Sequence, residues 1–344
     1  MTANENVRAA FLGKRPERIP AGVCLGGSWP YFLEGVTLLE LLEDPIRAAE
    51  IFYRVNEEVD ADFVTVGTGA TAFLIEGLGG DIAFSSDGAP AIASLLVQSE
   101  EDIASLDIQA ALAVPKVQWL KEVAKETLRL NQNKRSIFIS GRAPFTLAGQ
   151  LLGLETLSKS LYKNKTLVEK LLDFTTELSV AYYEFMLEVP GMDGIFIADP
   201  SASGDVVSKR HFETWVVPYL TKVVSRLARH DKLSLVHICG NITDRLHLLP
   251  QTGIQMVSVD SKVDLLTAKE ILKGQIALAG NVNPVASIEE KSPEEVYADA
   301  TKCLDAGAKD GGFLLLPGCD LSAKARVENV RAITKAAHDW QVGV

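Results

Sequence analysis

Eight short, nearly continuous apolar runs recur along the chain, separated by stretches of helical periodicity, and this alternation is what most limits the fold. Residues 19–24, 62–66, 136–140, 194–198, 233–237, 255–259, 275–279 and 313–316 read as strands. Their lack of in-out alternation is expected of parallel strands covered on both faces. Between them, residues 44–59, 115–130, 154–163, 167–187 and 209–230 read as helices, with apolar residues at three and four spacing. A further helix begins at Ser292-Pro293-Glu294-Glu295, a capping box with proline in the first turn, and stops at Gly307. Residues 77–106 read as a short hairpin excursion. The pattern predicts an α/β fold: one (β/α)8 TIM barrel over residues 1–344, preceded by a short helix at 4–12. A doubly wound sheet is the alternative.

In such a barrel the reactive groups follow the strands. Here Cys24, Gly67, Arg142, Asp199, His237, Cys239, Asp260, Asn281 and Cys319 all do. His237 and Cys239 are two residues apart at a strand end, so an extended backbone points both side chains to the same side. Cys319 follows another apolar run, in Leu316-Pro317-Gly318-Cys319-Asp320. One imidazole and two thiolates suit Zn2+, and three protein ligands leave a fourth position open for water or substrate.

The remaining candidates are weaker. Asp199 and Asp260 follow the strands on either side of the His237 strand, so either can orient His237, hold substrate, or cap a loop. Asn281 is placed to contact substrate or to satisfy backbone groups. Arg142 offers a planar fork for a sulfonate or carboxylate, with a salt bridge as the structural alternative. Gly67-Thr68-Gly69 lacks the third glycine of a dinucleotide loop. Trp29, Tyr31 and Phe32 form an aromatic cluster expected to pack, and Cys303 lies mid-helix as core. Cys24 is expected in the core, with an approach to the metal as the alternative. His211, His230, His247 and His338 are expected at the surface.

Composition excludes several classes. With 34 Lys plus Arg against 45 Asp plus Glu, net charge −11 and no basic run, nucleic acid and acidic membrane surfaces are poor partners. No signal peptide or membrane-length apolar run is present, and four cysteines are too few for a disulfide scaffold, so a cytoplasmic protein is expected.

The His237-Ile238-Cys239-Gly240-Asn241 and Pro317-Gly318-Cys319 segments resemble the uroporphyrinogen decarboxylase superfamily, in its corrinoid:thiol methyltransferase branch. Asp199-Pro200-Ser201-Ala202-Ser203, residues 212–219 and Gly280-Asn281-Val282-Asn283-Pro284 extend the likeness through most of the chain. The resemblance implies a zinc barrel exchanging methyl groups between a corrinoid and a small thiol, with His237, Cys239 and Cys319 as catalytic zinc ligands. The thiol would lose its proton on coordination and attack the methyl carbon of methylcobalamin. No Asp-X-His-X-X-Gly loop surrounds any of the five histidines, so the corrinoid would arrive on a separate corrinoid protein. A homodimer is suggested by the parent decarboxylases. Those enzymes carry an arginine in the loop after the first strand and a catalytic aspartate after the second. Leu25-Gly26-Gly27-Ser28-Trp29-Pro30 and Val66-Gly67-Thr68 stand in those places here. The alternatives are zinc-dependent transfer from a methylated substrate to cob(I)alamin, a decarboxylase, and a non-catalytic tetrapyrrole carrier.

Overall fold

The computed structural model describes residues 1–23, 27–85 and 89–341. Nine strands are present among them: β1 (Phe63–Val66), β2 (Ile82–Ala83), β3 (Ala91–Ile92), β4 (Ser136–Arg142), β5 (Gly194–Ala198), β6 (Leu233–Ile238), β7 (Met256–Val259), β8 (Ala277–Ala279) and β9 (Phe313–Leu314). Seven form one curled sheet in the order β1-β4-β5-β6-β7-β8-β9, every neighbouring pair parallel. β2 and β3 make the expected excursion, a separate antiparallel pair.

Residues 19–24 were expected to form the first strand, and the structure reduces this run to two isolated bridges. Ala21 pairs with Leu315, beyond β9, and Gly22 pairs with Phe63 of β1, so one segment reaches both edges of the curled sheet. Pro20 has no N–H to give to a ladder, although its carbonyl accepts from the Leu315 amide at 3.0 Å. Glycine is required at 22 because a Cβ there would lie 2.2 Å from the Phe63 carbonyl oxygen. Cys24 lies outside the described residues.

Several helices escaped the sequence reading, among them Ala70–Gly77, Pro144–Leu152, Leu265–Leu272 and Val327–Asp339. Pro144–Leu152 follows β4 directly, and every residue in it except Gln150 is buried. A helix covered on nearly all sides has no amphipathic stripe to betray its period.

Side chains fill the interior of the sheet. Phe63, Phe138, Phe196, Leu235, Met256 and Leu314 pack there with Val7, Ala10 and Phe11 of the N-terminal helix Ala3–Phe11. Phe138 is the hub, its ring 4.7 Å from that of Phe63 and 5.2 Å from that of Phe11. The outer layer of helices buries a second, larger cluster against the other face of the sheet. No helix among the described residues is long and apolar enough to cross a membrane.

Asp62, just before β1, ties three distant segments together. Its carboxylate accepts from the Ala21 amide at 3.1 Å, from the Arg18 guanidinium and from His338 Nε2 at 2.7 Å. His338, expected at the surface, is thereby drawn in from the C-terminal helix Val327–Asp339. Removing one partner of a buried charged network typically costs about 3 kcal/mol or more. Asp62→Ala is therefore expected to lower unfolding free energy by about that amount in urea titrations, with native helicity retained in buffer.

Candidate metal centre and adjoining cavity

Register places the first donor. Parallel pairing sets His237 of β6 beside Ser258 of β7, and His237 Nδ1 lies 3.0 Å from Ser258 Oγ in a fully buried setting. With Nδ1–H donating to the serine, the Nε2 lone pair is directed to the other side, where Cys239 Sγ lies 3.3 Å away. Phe196 of β5 stacks against the imidazole at 6.3 Å and limits its tilt. Cys319 arrives from the segment after β9, its sulfur 3.6 Å from Cys239 Sγ. The three ligand atoms all fall within 4.8 Å of one another.

That spacing fits a small tetrahedral ion. Two thiolates at the usual Zn–S length of 2.3 Å sit about 3.8 Å apart around a tetrahedral centre, close to the separation of the two sulfurs. The Cys319 thiol is held well below the ordinary range, chiefly by its hydrogen bond with Cys239 and further by His237, against the opposing effect of burial. The thiolate form that a metal needs is thus favoured by the protein itself.

Neither flanking aspartate orients the histidine, contrary to one sequence expectation. Asp260 braces the loop after Cys239: one oxygen accepts from the Gly240 amide at 2.9 Å and the other from the Lys262 amide at 3.0 Å. Gly240 has φ +73°, and a Cβ there would come 2.3 Å from Ser203 Oγ, so the turn behind Cys239 depends on glycine. Asn281 donates to the carbonyls of Asp260 and Val263 at 2.9 and 2.7 Å, the backbone-satisfying alternative. Cys303, expected mid-helix in the core, is half-buried in its helix and contacts the Asn281 side-chain oxygen Oδ1.

Asp199 is buried with one oxygen bound to the amide and hydroxyl of Thr146, at 3.0 and 2.6 Å, while Oδ2 has no partner among the described residues. Burial raises its pKa from 3.8 to about 7, against the lowering effects of Thr146 and Arg142. Arg142 makes no direct ion pair among the described residues, and its Nε is buried without a hydrogen bond. It lines a cavity of about 450 Å³ together with Ser28, Thr68, Gln150 and Asp320. Asp320, next in the chain to the candidate ligand Cys319, lines the same cavity with its side chain open to solvent.

Sequence reasoning missed Ser258, Ser28, Gln150 and Asp320. Ser258 left a faint signal as the lone hydroxyl in the apolar run Met256-Val257-Ser258-Val259. Asp320 stood beside a proposed ligand, but nothing local announced that it faces a cavity shared with Arg142.

The fold and donor set define a parallel α/β protein with a metal-capable centre beyond the C-terminal ends of its strands. The chain belongs to the uroporphyrinogen decarboxylase (URO-D) family, whose sequence profile matches residues 2–340. A methylcobamide:CoM methyltransferase, MtbA, from Methanosarcina acetivorans is 33% identical over 198 residues, covering 58% of this chain and 56% of the relative. The match thus spans little more than half the length of that methyltransferase. Uroporphyrinogen decarboxylase from Paraburkholderia xenovorans is 26% identical over 339 residues, covering 93% of this chain and 85% of the relative. Among solved structures, a methyltransferase from Methanosarcina mazei superposes with a TM-score of 0.87 over 98% of both chains at 23% identity, a likeness of fold.

Two outcomes are expected. Loss of Cys239 or Cys319 to alanine should abolish high-affinity Zn2+ binding, whereas Ser258→Ala, which removes only the imidazole's anchor, should weaken it by roughly 10–100-fold in chelator competition. Asp199 titrates higher in the folded chain than in the unfolded one, so its contribution to stability is full below about pH 4 and is lost as pH rises through about 7. Denaturant midpoints should therefore fall less between pH 5 and pH 8 in Asp199→Asn than in the unsubstituted protein, the difference corresponding to at most roughly 3 kcal/mol.

Proposed function

We propose that this protein is a zinc- and corrinoid-dependent methyltransferase that passes a methyl group from a methylated corrinoid, carried by a separate protein, to a small thiol. The observation that carries the reading is the convergence of His237, Cys239 and Cys319 beside a small cavity. The methyltransferase names of relatives in the same family favour it over decarboxylation. We further propose that the chain forms one closed (β/α)8 barrel domain. Support comes from the segment at Ala21 and Gly22, bridged to both edge strands, and from the likeness of fold along the whole chain.

His237 Nε2 and the two cysteine sulfurs would hold Zn2+, which when bound lowers the pKa of a thiol at its open position. The chain's own residues prepare that position. Ser258 fixes the imidazole, Asp260 and Gly240 fix the turn that presents Cys239, and Asn281 ties the Asp260 segment to Val263. In the transfer, the thiol's sulfur bonds to the methyl carbon while the cobalt–carbon bond breaks, leaving its electron pair on cobalt. The thiol's proton passes to solvent, and no acid or base acts on the carbon itself. The cavity measures about 450 Å³. It suits a small thiol and leaves the corrinoid outside, at the mouth.

The test is anaerobic incubation of metal-loaded protein with methylcobalamin and a panel of small thiols, followed by absorbance. Thiol-dependent formation of cob(I)alamin is expected, falling at least ~100-fold in Cys239→Ala and Cys319→Ala. Methylation of cob(I)alamin by thioethers, with no thiol-dependent loss of methylcobalamin, would reverse the assigned direction. Absence of both reactions in metal-replete protein would sink the methyltransferase reading.

A further inference from the structure

Two opposite charges share the wall of the cavity without meeting. Asp320 and Arg142 are its charged residues among those described, and no ion pair joins them. Arg142 is half-buried, and the Asp320 side chain is open to solvent. Asp320 Oδ1 accepts from the Leu321 amide at 2.9 Å, and no cation is paired with the carboxylate among the described residues. The loops between the two residues are closely packed. A Cβ on Gly27 would lie 2.7 Å from Asp320 Oδ2, the Gly27 carbonyl accepts from the Thr68 hydroxyl at 3.1 Å, and a Cβ on Gly67 would lie 2.4 Å from the Ser140 carbonyl oxygen. Acid and guanidinium therefore stand on one continuous wall with glycine-bearing loops between them.

Such a wall selects by charge. The other acid whose field reaches Arg142, Asp199, is buried and does not line the cavity, so Asp320 is the carboxylate a ligand meets. A singly anionic tail would pair with Arg142 and face Asp320. A singly cationic one would do the reverse. In a space walled by protein both effects are stronger than in bulk water. A zwitterion supplies a partner of each sign and adds no net charge. The first-turn amides of Thr71 and Ala72 in the helix Ala70–Gly77 also line the cavity and add N–H donors for the anionic end. Asp320 follows Cys319 directly, so the acid and the metal-capable sulfur enter on one segment, as suits a short thiol with its ammonium group a few bonds from sulfur.

Resting on the methyltransferase reading, we propose that the acceptor is a zwitterionic thiol, a short α-amino acid ending in a sulfhydryl, whose ammonium group pairs with Asp320 and whose carboxylate pairs with Arg142. Transfer to it gives a thioether amino acid and cob(I)alamin. The sulfur–carbon bond forms as the cobalt–carbon bond breaks with its electron pair left on cobalt, and the thiol's proton leaves to solvent. Asp320 and Arg142 are thereby specificity-determining residues, and singly anionic thiols are the poorer substrates.

Methionine carries the whole zwitterion on a thioether and needs no metal to bind. Calorimetry on the whole chain, with or without zinc, can therefore compare it with its analogues lacking either the ammonium or the carboxylate group. Methionine is expected to bind at least about tenfold more tightly than either, the effect of losing one hydrogen-bonded charge. Asp320→Asn should erase the preference over the analogue without ammonium, and Arg142→Gln the preference over the analogue without carboxylate. The comparison of ligands on the unsubstituted chain stands even where a variant misfolds. Equal or tighter binding of the analogue without ammonium, or of S-methyl mercaptoethanesulfonate, would overturn the proposal, as would a methionine preference indifferent to both substitutions. The parent thiols, tried as methyl acceptors from methylcobalamin, separate the two readings. A methionine preference without turnover by any thiol upholds the cavity's chemistry and removes the methyltransferase reading instead. Turnover of thiols with no such preference does the opposite.

Discussion

The contact between His237 and Ser258 is the one on which the centre depends. A histidine at a strand end can present either nitrogen, and its ring can swing through a wide arc. Parallel register between β6 and β7 removes both freedoms by setting a buried hydroxyl 3.0 Å from Nδ1. A serine does this without adding charge, whereas a carboxylate in the same place would bring an extra negative group beside two thiolates. The neutral anchor and the lowered Cys319 thiol belong to one electrostatic design, in which the negative charge is concentrated on the sulfurs.

The loops around this contact are held by backbone-directed side chains. Asp260 and Asn281 spend their polar atoms on amides and carbonyls of neighbouring turns, and Gly240 supplies the left-handed conformation that brings Cys239 back over the strand ends. Rigid positioning of this kind suits a centre whose donors come from segments 80 residues apart. By contrast, the adjoining cavity is left unsatisfied. Arg142, Gln150 and Ser28, which line it, each keep a buried polar atom without a partner among the described residues, a cost in stability. The opposite end of the sheet shows the other extreme, with Phe11, Phe63 and Phe138 packed ring against ring.

Much of the architecture could be read directly. Seven apolar runs became parallel strands because burial on both faces demands uninterrupted apolar residues, a signal carried locally. The first run failed as a strand for reasons equally local in part: Pro20 lacks a donor and Gly22 must press against Phe63. The helix at Pro144–Leu152 was invisible because near-complete burial erased its periodicity. His338 looked like a surface residue until the C-terminal helix brought it to Asp62.

The same division runs through the site. By itself the sequence determined the candidate donors, since two-residue spacing at a strand end and a cysteine after a later strand are covalent facts about the chain. It also determined that these donors lie on one side of a parallel sheet. Tertiary structure alone decided which group steadies His237, because strand register is a relation between residues 21 positions apart. It likewise decided that Arg142, Gln150 and Asp320 share a cavity, and that Asp260 and Asn281 are braces. Hydrogen bonds and electrostatic interactions act over a few ångströms in space, and folding, not chain order, settles which groups come that close.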